Sequence, residues 1–269
     1  MKIAVSGKGG VGKTFIAGNL AARFAQSGSP VIAIDADPSP NLALTLGLSF
    51  EEVAAIVPVA GDADLIRPKT GTTYSGVFKL TFTVDDIIRS HAVLTPSGAY
   101  LMVMGTVKAM GSGCACPAHS VVKALMRHFV VDRDDVVILD MEAGIEHLGR
   151  GTAEHVDTLL IVTDANQKSL EVARTIFHLA KDSQIGRICL IGNRVADIRQ
   201  KEIITTFAEK NGIEIIAMIP FDDRVADSGM TGETIDELTS KALREIGGLA
   251  GILSESTDKS ATGNFGGKK

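Results

Sequence analysis

At 269 residues, the chain is long enough for one large domain with a well-buried core and too short for two full ones. Its formal charge of -5 supplies no basic footprint for a phosphate backbone, which argues against nucleic acid as a partner. With Trp absent and aromatics at 4%, the core must be built from Val, Ile, Leu, Ala and Met, a mixture that suits buried parallel strands.

Lys2 to Val5 is a short apolar run that enters the glycine-rich turn Gly7-Lys8-Gly9-Gly10-Val11-Gly12-Lys13-Thr14, and Phe15 to Ala25 then repeats apolar residues at helical spacing. The order is strand, loop, helix. A second buried-strand pattern, Val31 to Ile34, ends at Asp35-Ala36-Asp37-Pro38. Residues 49–98 are broken by Pro58, Pro68, Gly61, Gly71 and Gly76 and read as an insertion-like region with one helix near Val84 to Ser90. Tyr100 to Met104, a turn carrying Cys114 and Cys116, a helix from about Ser120 to Phe129 and the strand Val136 to Leu139 follow. Further strands are expected at Leu159 to Val162, Ile188 to Ile191 and Ile215 to Ile219, with helices around Leu170 to Lys181 and Lys201 to Lys210. Such alternation predicts an α/β fold: a single domain over 1–253 with a mostly parallel central sheet and helices on both faces. Residues 254–269, rich in Ser, Thr, Gly and Lys, read as a disordered tail.

Three cysteines do not make a disulfide framework, so a reducing compartment is expected. No leader-like segment precedes the first strand and no apolar run approaches membrane-spanning length, so the expectation is a cytoplasmic protein with no membrane partner.

The glycine-rich turn has every part of a P-loop, the cradle that surrounds phosphates with backbone N–H groups at a helix N-terminus. Gly7, Gly9, Gly10, Val11 and Gly12 form the backbone of the cradle. Lys13 would reach the outer phosphates of ATP, and the Thr14 hydroxyl would ligate Mg²⁺. Asp140 ends the strand Val136 to Leu139, with Gly144 four residues on, the Walker B pattern of a carboxylate that holds Mg²⁺ through water. Asp35 and Asp37 end the strand after the P-loop helix and would face the same edge of the sheet, or one of them caps the turn at Pro38. Asn193 with Arg194, and Pro220 with Phe221, follow two later strands on that edge, where Asn can pair with a purine. His119, His147 and His155 read as surface or capping residues, and Cys189 as a small core residue inside its strand.

Lys8 is not needed to hold a nucleotide within one chain. The string Lys8 to Thr14 resembles the deviant Walker A motif of the family that includes the MinD and ParA ATPases and the nitrogenase iron protein. That resemblance implies a P-loop NTPase fold and a homodimer in which Lys8 reaches the partner's phosphates. It further implies that Asp37 orients the attacking water, Asp35 supports the Mg²⁺ shell, Asn193 contacts adenine, and the turn at Pro220 and Phe221 walls the ring.

Cys114 and Cys116 are too close for a relaxed intrachain disulfide, yet one turn can direct both sulfurs at one soft metal ion. Two thiolates leave a divalent ion under-coordinated, and a two-fold dimer would supply four. The stretches Leu101 to Val107, Gly111 to Pro117, Val122 to His128 and Asp140 to Gly151 are similar to the CooC-type nickel-insertion ATPases of carbon monoxide dehydrogenase maturation. The resemblance implies Ni²⁺, or Zn²⁺ in its place, between the cysteine pairs, and carbon monoxide dehydrogenase as client. Thiolates suit both ions, so the choice of nickel rests on the resemblance. Two alternatives carry different signatures. A MinD or ParA-like positioning ATPase would need a basic amphipathic helix or basic surface, which Lys241 to Leu253 lacks. An iron–sulfur ATPase like the nitrogenase iron protein uses two cysteines far apart in the chain, and none lies near Asp140 here.

Overall fold

A computed structural model of the chain describes residues 1–37, 41–62, 84–105, 122, 125–129, 135–142, 144, 155–231, 235 and 238–262. These form one eight-stranded sheet. Its strands are β1 (Lys2–Gly7), β2 (Val31–Asp35), β3 (Val93–Leu94), β4 (Tyr100–Val103), β5 (Val136–Asp140), β6 (Thr158–Thr163), β7 (Arg187–Val195) and β8 (Glu214–Pro220). They lie in the order β3-β4-β2-β5-β1-β6-β7-β8. Every pairing is parallel except that of β3 with β4, which is antiparallel and closes one edge. The expected mostly parallel α/β sheet is therefore present, and each expected strand lies within or against an observed one.

Period-two alternation divides the apolar strand residues between two cores. Ala4, Leu139, Leu159 and Ile161 face one layer, which contains Leu170, Ile176 and Phe177 of α5 (Gln167–Lys181) and Ile204 and Ala208 of α6 (Ile198–Asn211). Val5, Ile138, Leu160 and Val162 face the other, against Ile16, Leu20 and Phe24 of α1 (Lys13–Gln26) and Ile246, Leu249 and Leu253 of α8 (Lys241–Thr262). Strands buried on both faces explain why they appear in the sequence as unbroken apolar runs. The Cys189 thiol is fully buried in β7 and burial pushes it up to about 12, which makes it a core residue as expected.

A short helix α2 (Leu42–Thr45) precedes the insertion-like region, which resolves partly into α3 (Phe50–Ala55), α4 (Val84–His91) and β3. A capping box at Ser49 and Glu52 starts α3. The last helix continues through Thr262, beyond the point where a tail was expected to begin, and 263–269 lie outside the described residues. Residues 122 and 125–129 are helical, as expected for that stretch. No helix among the described residues is long and apolar enough to cross a membrane.

β1 sits between β5 and β6, so its C-terminal end lies where chain connections diverge to the two sides of the sheet, the usual ligand crevice of such sheets. Gly7 makes the turn there with φ +152, and a Cβ at this position would collide with the backbone carbonyl of Val162. The obstacle is strand backbone, which cannot yield as a side-chain end can. Gly7→Ala is therefore expected to destabilise the protein by on the order of 2–4 kcal/mol, read as a lower denaturation midpoint. A midpoint equal to the wild type would contradict this account of the turn.

Candidate nucleotide site

The loop from Lys8 to Gly12 leads into α1 through Gly12, which occupies the N-cap with φ +96 and offers no side-chain cap to the first N–H groups of the helix. Uncapped donors at a helix start suit an anion. Lys13 is buried, and its Nζ lies 3.5 Å from the carbonyl oxygen of Lys8; Val11 N–H points to the same oxygen at 3.4 Å. Both contacts are at the long limit of hydrogen bonding, so these donors are held only weakly. Lys8 Nζ lies 3.4 Å from the carbonyl of Gly9, at the exposed side of the loop.

Parallel pairing brings the carboxylates together. Val5 of β1 is level with Asp140 of β5, and Asp140 is level with Asp35 of β2. Both aspartates are fully buried. Burial raises the Asp140 carboxyl to about 7. The Thr14 hydroxyl and the Lys13 charge oppose the rise, and the negative charges of Asp35 and Asp37 add to it. Neither Asp140 oxygen closes a hydrogen bond, although the Thr14 hydroxyl is near enough to favour the ionised form. Two dry carboxylate oxygens facing a hydroxyl and a second carboxylate form a hard oxygen donor set that fits Mg²⁺. Asp35 is raised to about 6, again chiefly by burial, and its oxygens accept N–H bonds from Asp37 at 3.2 Å and Leu42 at 2.9 Å. Asp35 thus organises the turn that carries Asp37 and starts α2.

Asn193 and Arg194 are the two residues before Val195, the last of β7, while Pro220 ends β8 level with Val195. Phe221 N–H donates to Val195 O at 3.0 Å, so the two expected halves of a base pocket are adjacent. Asn193 is buried and its Nδ2 donates to Val11 O at 2.7 Å. The Arg194 guanidinium donates to Gly10 O at 2.9 Å.

Two residues near this edge have roles that motif reading missed. The Ser6 hydroxyl, fully buried at the end of β1, accepts from Gly144 N–H at 3.1 Å and lies 3.0 Å from both Glu142 O and Gly144 O. It ties the segment after Asp140 to the base of the P-loop. Its signal was a lone hydroxyl in an otherwise apolar strand. Asp222 accepts from Ser240 Oγ at 2.7 Å, Arg224 N–H at 3.1 Å and Ala242 N–H at 3.2 Å. Burial pushes its carboxyl up, but those bonds outweigh burial and hold it below the usual range. It caps both α7 (Asp223–Thr231) and α8, a role signalled only by an aspartate before a helical run.

Cys114, Cys116, His119 and His147 lie outside the described residues, and among those described no cluster of three or more metal-ligating side chains occurs.

Residues 2–235 match the model of the CobQ/CobB/MinD/ParA nucleotide binding domain. The chain belongs to this family and is an ATPase. It is 40% identical over 257 residues to the carbon monoxide dehydrogenase accessory protein CooC of Rhodospirillum rubrum, covering 95% of this chain and 97% of that one. It is 43% identical over 249 residues to an uncharacterized ATP-binding protein of Methanocaldococcus jannaschii, covering 91% and 95%. Among solved structures, a ParA family ATPase from Chlorobium tepidum superposes with a TM-score of 0.68 at 23% identity, covering 94% of this chain and 98% of the other. The MinD cell division protein of Aquifex aeolicus gives 0.67 at 22%, covering 95% and 97%. These two likenesses establish the fold.

Because the folded-state pKa values of Asp140 and Asp35 lie above that of an unfolded aspartate, the native protein binds protons more tightly there. Their contribution to stability is present at low pH and is lost as pH rises from about 4 to about 7. Asp140→Asn should therefore become more stable relative to wild type, by on the order of 2–4 kcal/mol, between pH 5 and pH 8 without nucleotide or Mg²⁺. Denaturant melts of both proteins across that range measure it, and a pH-independent difference would refute the assignment.

Proposed function

We propose that this chain is an ATP-driven metallochaperone that helps to load nickel into carbon monoxide dehydrogenase, acting in the cytoplasm as a homodimer. The observation that carries the reading is the identity to the CooC accessory protein along nearly the whole of both chains, together with the second P-loop lysine and the Cys-x-Cys pair.

In this reading the backbone from Gly9 to Gly12 and the Lys13 ammonium bind the phosphates of ATP. Asn193, Arg194, Pro220 and Phe221 form the base side of the site. Mg²⁺, held by the Thr14 hydroxyl and through water by Asp140, would neutralise charge on the β- and γ-phosphates. Asp35 sets the turn that presents Asp37, and Asp37 orients the attacking water by accepting a hydrogen bond from it. Lys8 extends to the phosphates of the second protomer, so ATP favours the closed dimer. Closure brings Cys114 and Cys116 of both chains around one Ni²⁺, the cargo, with Zn²⁺ as its chemical substitute. Hydrolysis removes the charge that Lys8 bridges, and the metal is released to the client.

ATP and metal then stabilise the same closed state, so each must tighten the other's binding. Titration of Ni²⁺ should give one ion per two chains, with affinity rising about 10-fold when a non-hydrolysable ATP analogue is added. Lys8→Ala should abolish that gain, and the Cys114→Ala, Cys116→Ala double variant should lose the ion while still binding ATP. Nickel binding that survives in the double variant would sink the proposed metal site. An affinity indifferent to the analogue would sink the coupling and leave the ATPase intact.

A further inference from the structure

The hydrogen bonds that Asn193 and Arg194 make are to the P-loop itself. Asn193 Nδ2 donates to Val11 O at 2.7 Å and the Arg194 guanidinium to Gly10 O at 2.9 Å, so two consecutive residues of β7 hold two consecutive carbonyls of the loop. In a trans peptide the carbonyl of one residue and the N–H of the next point to opposite sides of the same plane. Holding Gly10 C=O fixes the direction of Val11 N–H, and holding Val11 C=O fixes that of Gly12 N–H. Both N–H groups are thereby turned away from β7.

Three features mark the contact as built. Gly12 adopts φ +96, and a Cβ on it would collide with the Asn193 amide, so this glycine makes room for the asparagine as well as for a phosphate. Arg194 is one of two non-glycine described residues with positive φ, at +58, a backbone conformation that turns its side chain toward the loop at an energetic cost. The competing contact of Val11 N–H is the long one to Lys8 O at 3.4 Å, which an arriving phosphate oxygen can replace.

We infer that Asn193 and Arg194 are positioning residues for the phosphate cradle: from behind the loop they aim the N–H groups of Val11 and Gly12 at the phosphates. This role goes beyond contact with the base. It rests on the nucleotide site and is independent of nickel and of the dimer.

A ligand without a base separates the two roles. Displacement of a fluorescent ATP analogue from the full-length protein by Mg²⁺-tripolyphosphate and, separately, by adenosine measures each half of the site. Arg194→Gly keeps the left-handed backbone and removes the guanidinium; it should weaken tripolyphosphate about 10-fold, equivalent to about 1.4 kcal/mol, and by a larger factor than it weakens adenosine. Arg194→Lys keeps a cationic donor and should recover most of the loss. Asn193→Ala should weaken tripolyphosphate by a similar factor whatever it does to adenosine. If either substitution leaves tripolyphosphate affinity at the wild-type value, that residue does not brace the cradle. Should a variant fold poorly, amide exchange at Val11 and Gly12 in Arg194→Met, which keeps the aliphatic stem and has no donor, decides instead: faster exchange than in wild type supports the brace, and equal rates refute it.

Discussion

The burial of two aspartates at neighbouring strand ends constrains everything around them. Asp140 and Asp35 are level across the β2–β5 pair and fully buried, and a charged carboxylate in such a place is costly unless something compensates it. Asp35 is compensated from within, by the N–H groups of Asp37 and Leu42. Asp140 closes no such hydrogen bond; the Thr14 hydroxyl and the Lys13 charge only partly oppose burial, which raises its pKa toward neutrality. The chain therefore carries one internally satisfied carboxylate that shapes a turn and one unsatisfied carboxylate held for an external cation. Motif reading put both into the magnesium shell. Their different hydrogen bonding divides the work between them.

Legibility from sequence followed the physics of each feature. Apolar runs long enough to be strands, and glycines that no other residue can replace, leave marks at single positions, so β1, β2, β5 to β8 and the P-loop could be read directly. Features set by partners distant in the chain left no such mark. Asn193 was recognisable as a residue at the ligand edge. That its amide meets Val11 depends on β6 placing β7 one strand away from β1, a fact of strand order. The roles of Ser6 and Asp222 were only faintly marked for the same reason: Ser6 meets Gly144, 138 residues away, and Asp222 reaches Ser240 and Ala242, 18 and 20 residues away, besides its near neighbour Arg224. The end of α8 illustrates a different limit. Its core-facing residues Ala242, Ile246, Leu249 and Leu253 keep helical spacing and then stop, so composition marks a tail from Ser254. The helix continues because extending a formed helix adds a hydrogen bond for each residue fixed, whereas starting one does not.

Energetic balance explains why a strained arginine can serve at the end of β7. A non-glycine residue in the left-handed region costs about 1–2 kcal/mol. A hydrogen bond from a charged donor contributes about 1.5–3 kcal/mol when well sheltered, and less for an exposed guanidinium such as this one. The two terms roughly offset each other, so the brace contributes little to the stability of the empty protein. Its effect is orientation: the cradle's donors are aimed before ligand arrives, and less ordering remains to be done on binding.

The same brace divides the P-loop into two unequal parts. Gly10, Val11 and Gly12 are held from β7, and β7 is tied to the base side through Phe221 N–H on Val195 O. Asp222, next in the chain, caps α7 and α8, so cradle, base wall and C-terminal helices form one connected frame. Lys8 and Gly9 are outside it. A Cβ on Gly9 would meet nothing within 4 Å, and the Lys8 ammonium touches only its neighbour's carbonyl among the contacts described. A loop that must hold phosphates within its own chain and also offer a lysine to a second chain needs this division. The holding part must be rigid to bind well, and the offered part must be accessible to meet a partner. The proposed dimer uses the free part and leaves the braced part undisturbed, so closing the dimer need not disturb the cradle that holds its ATP.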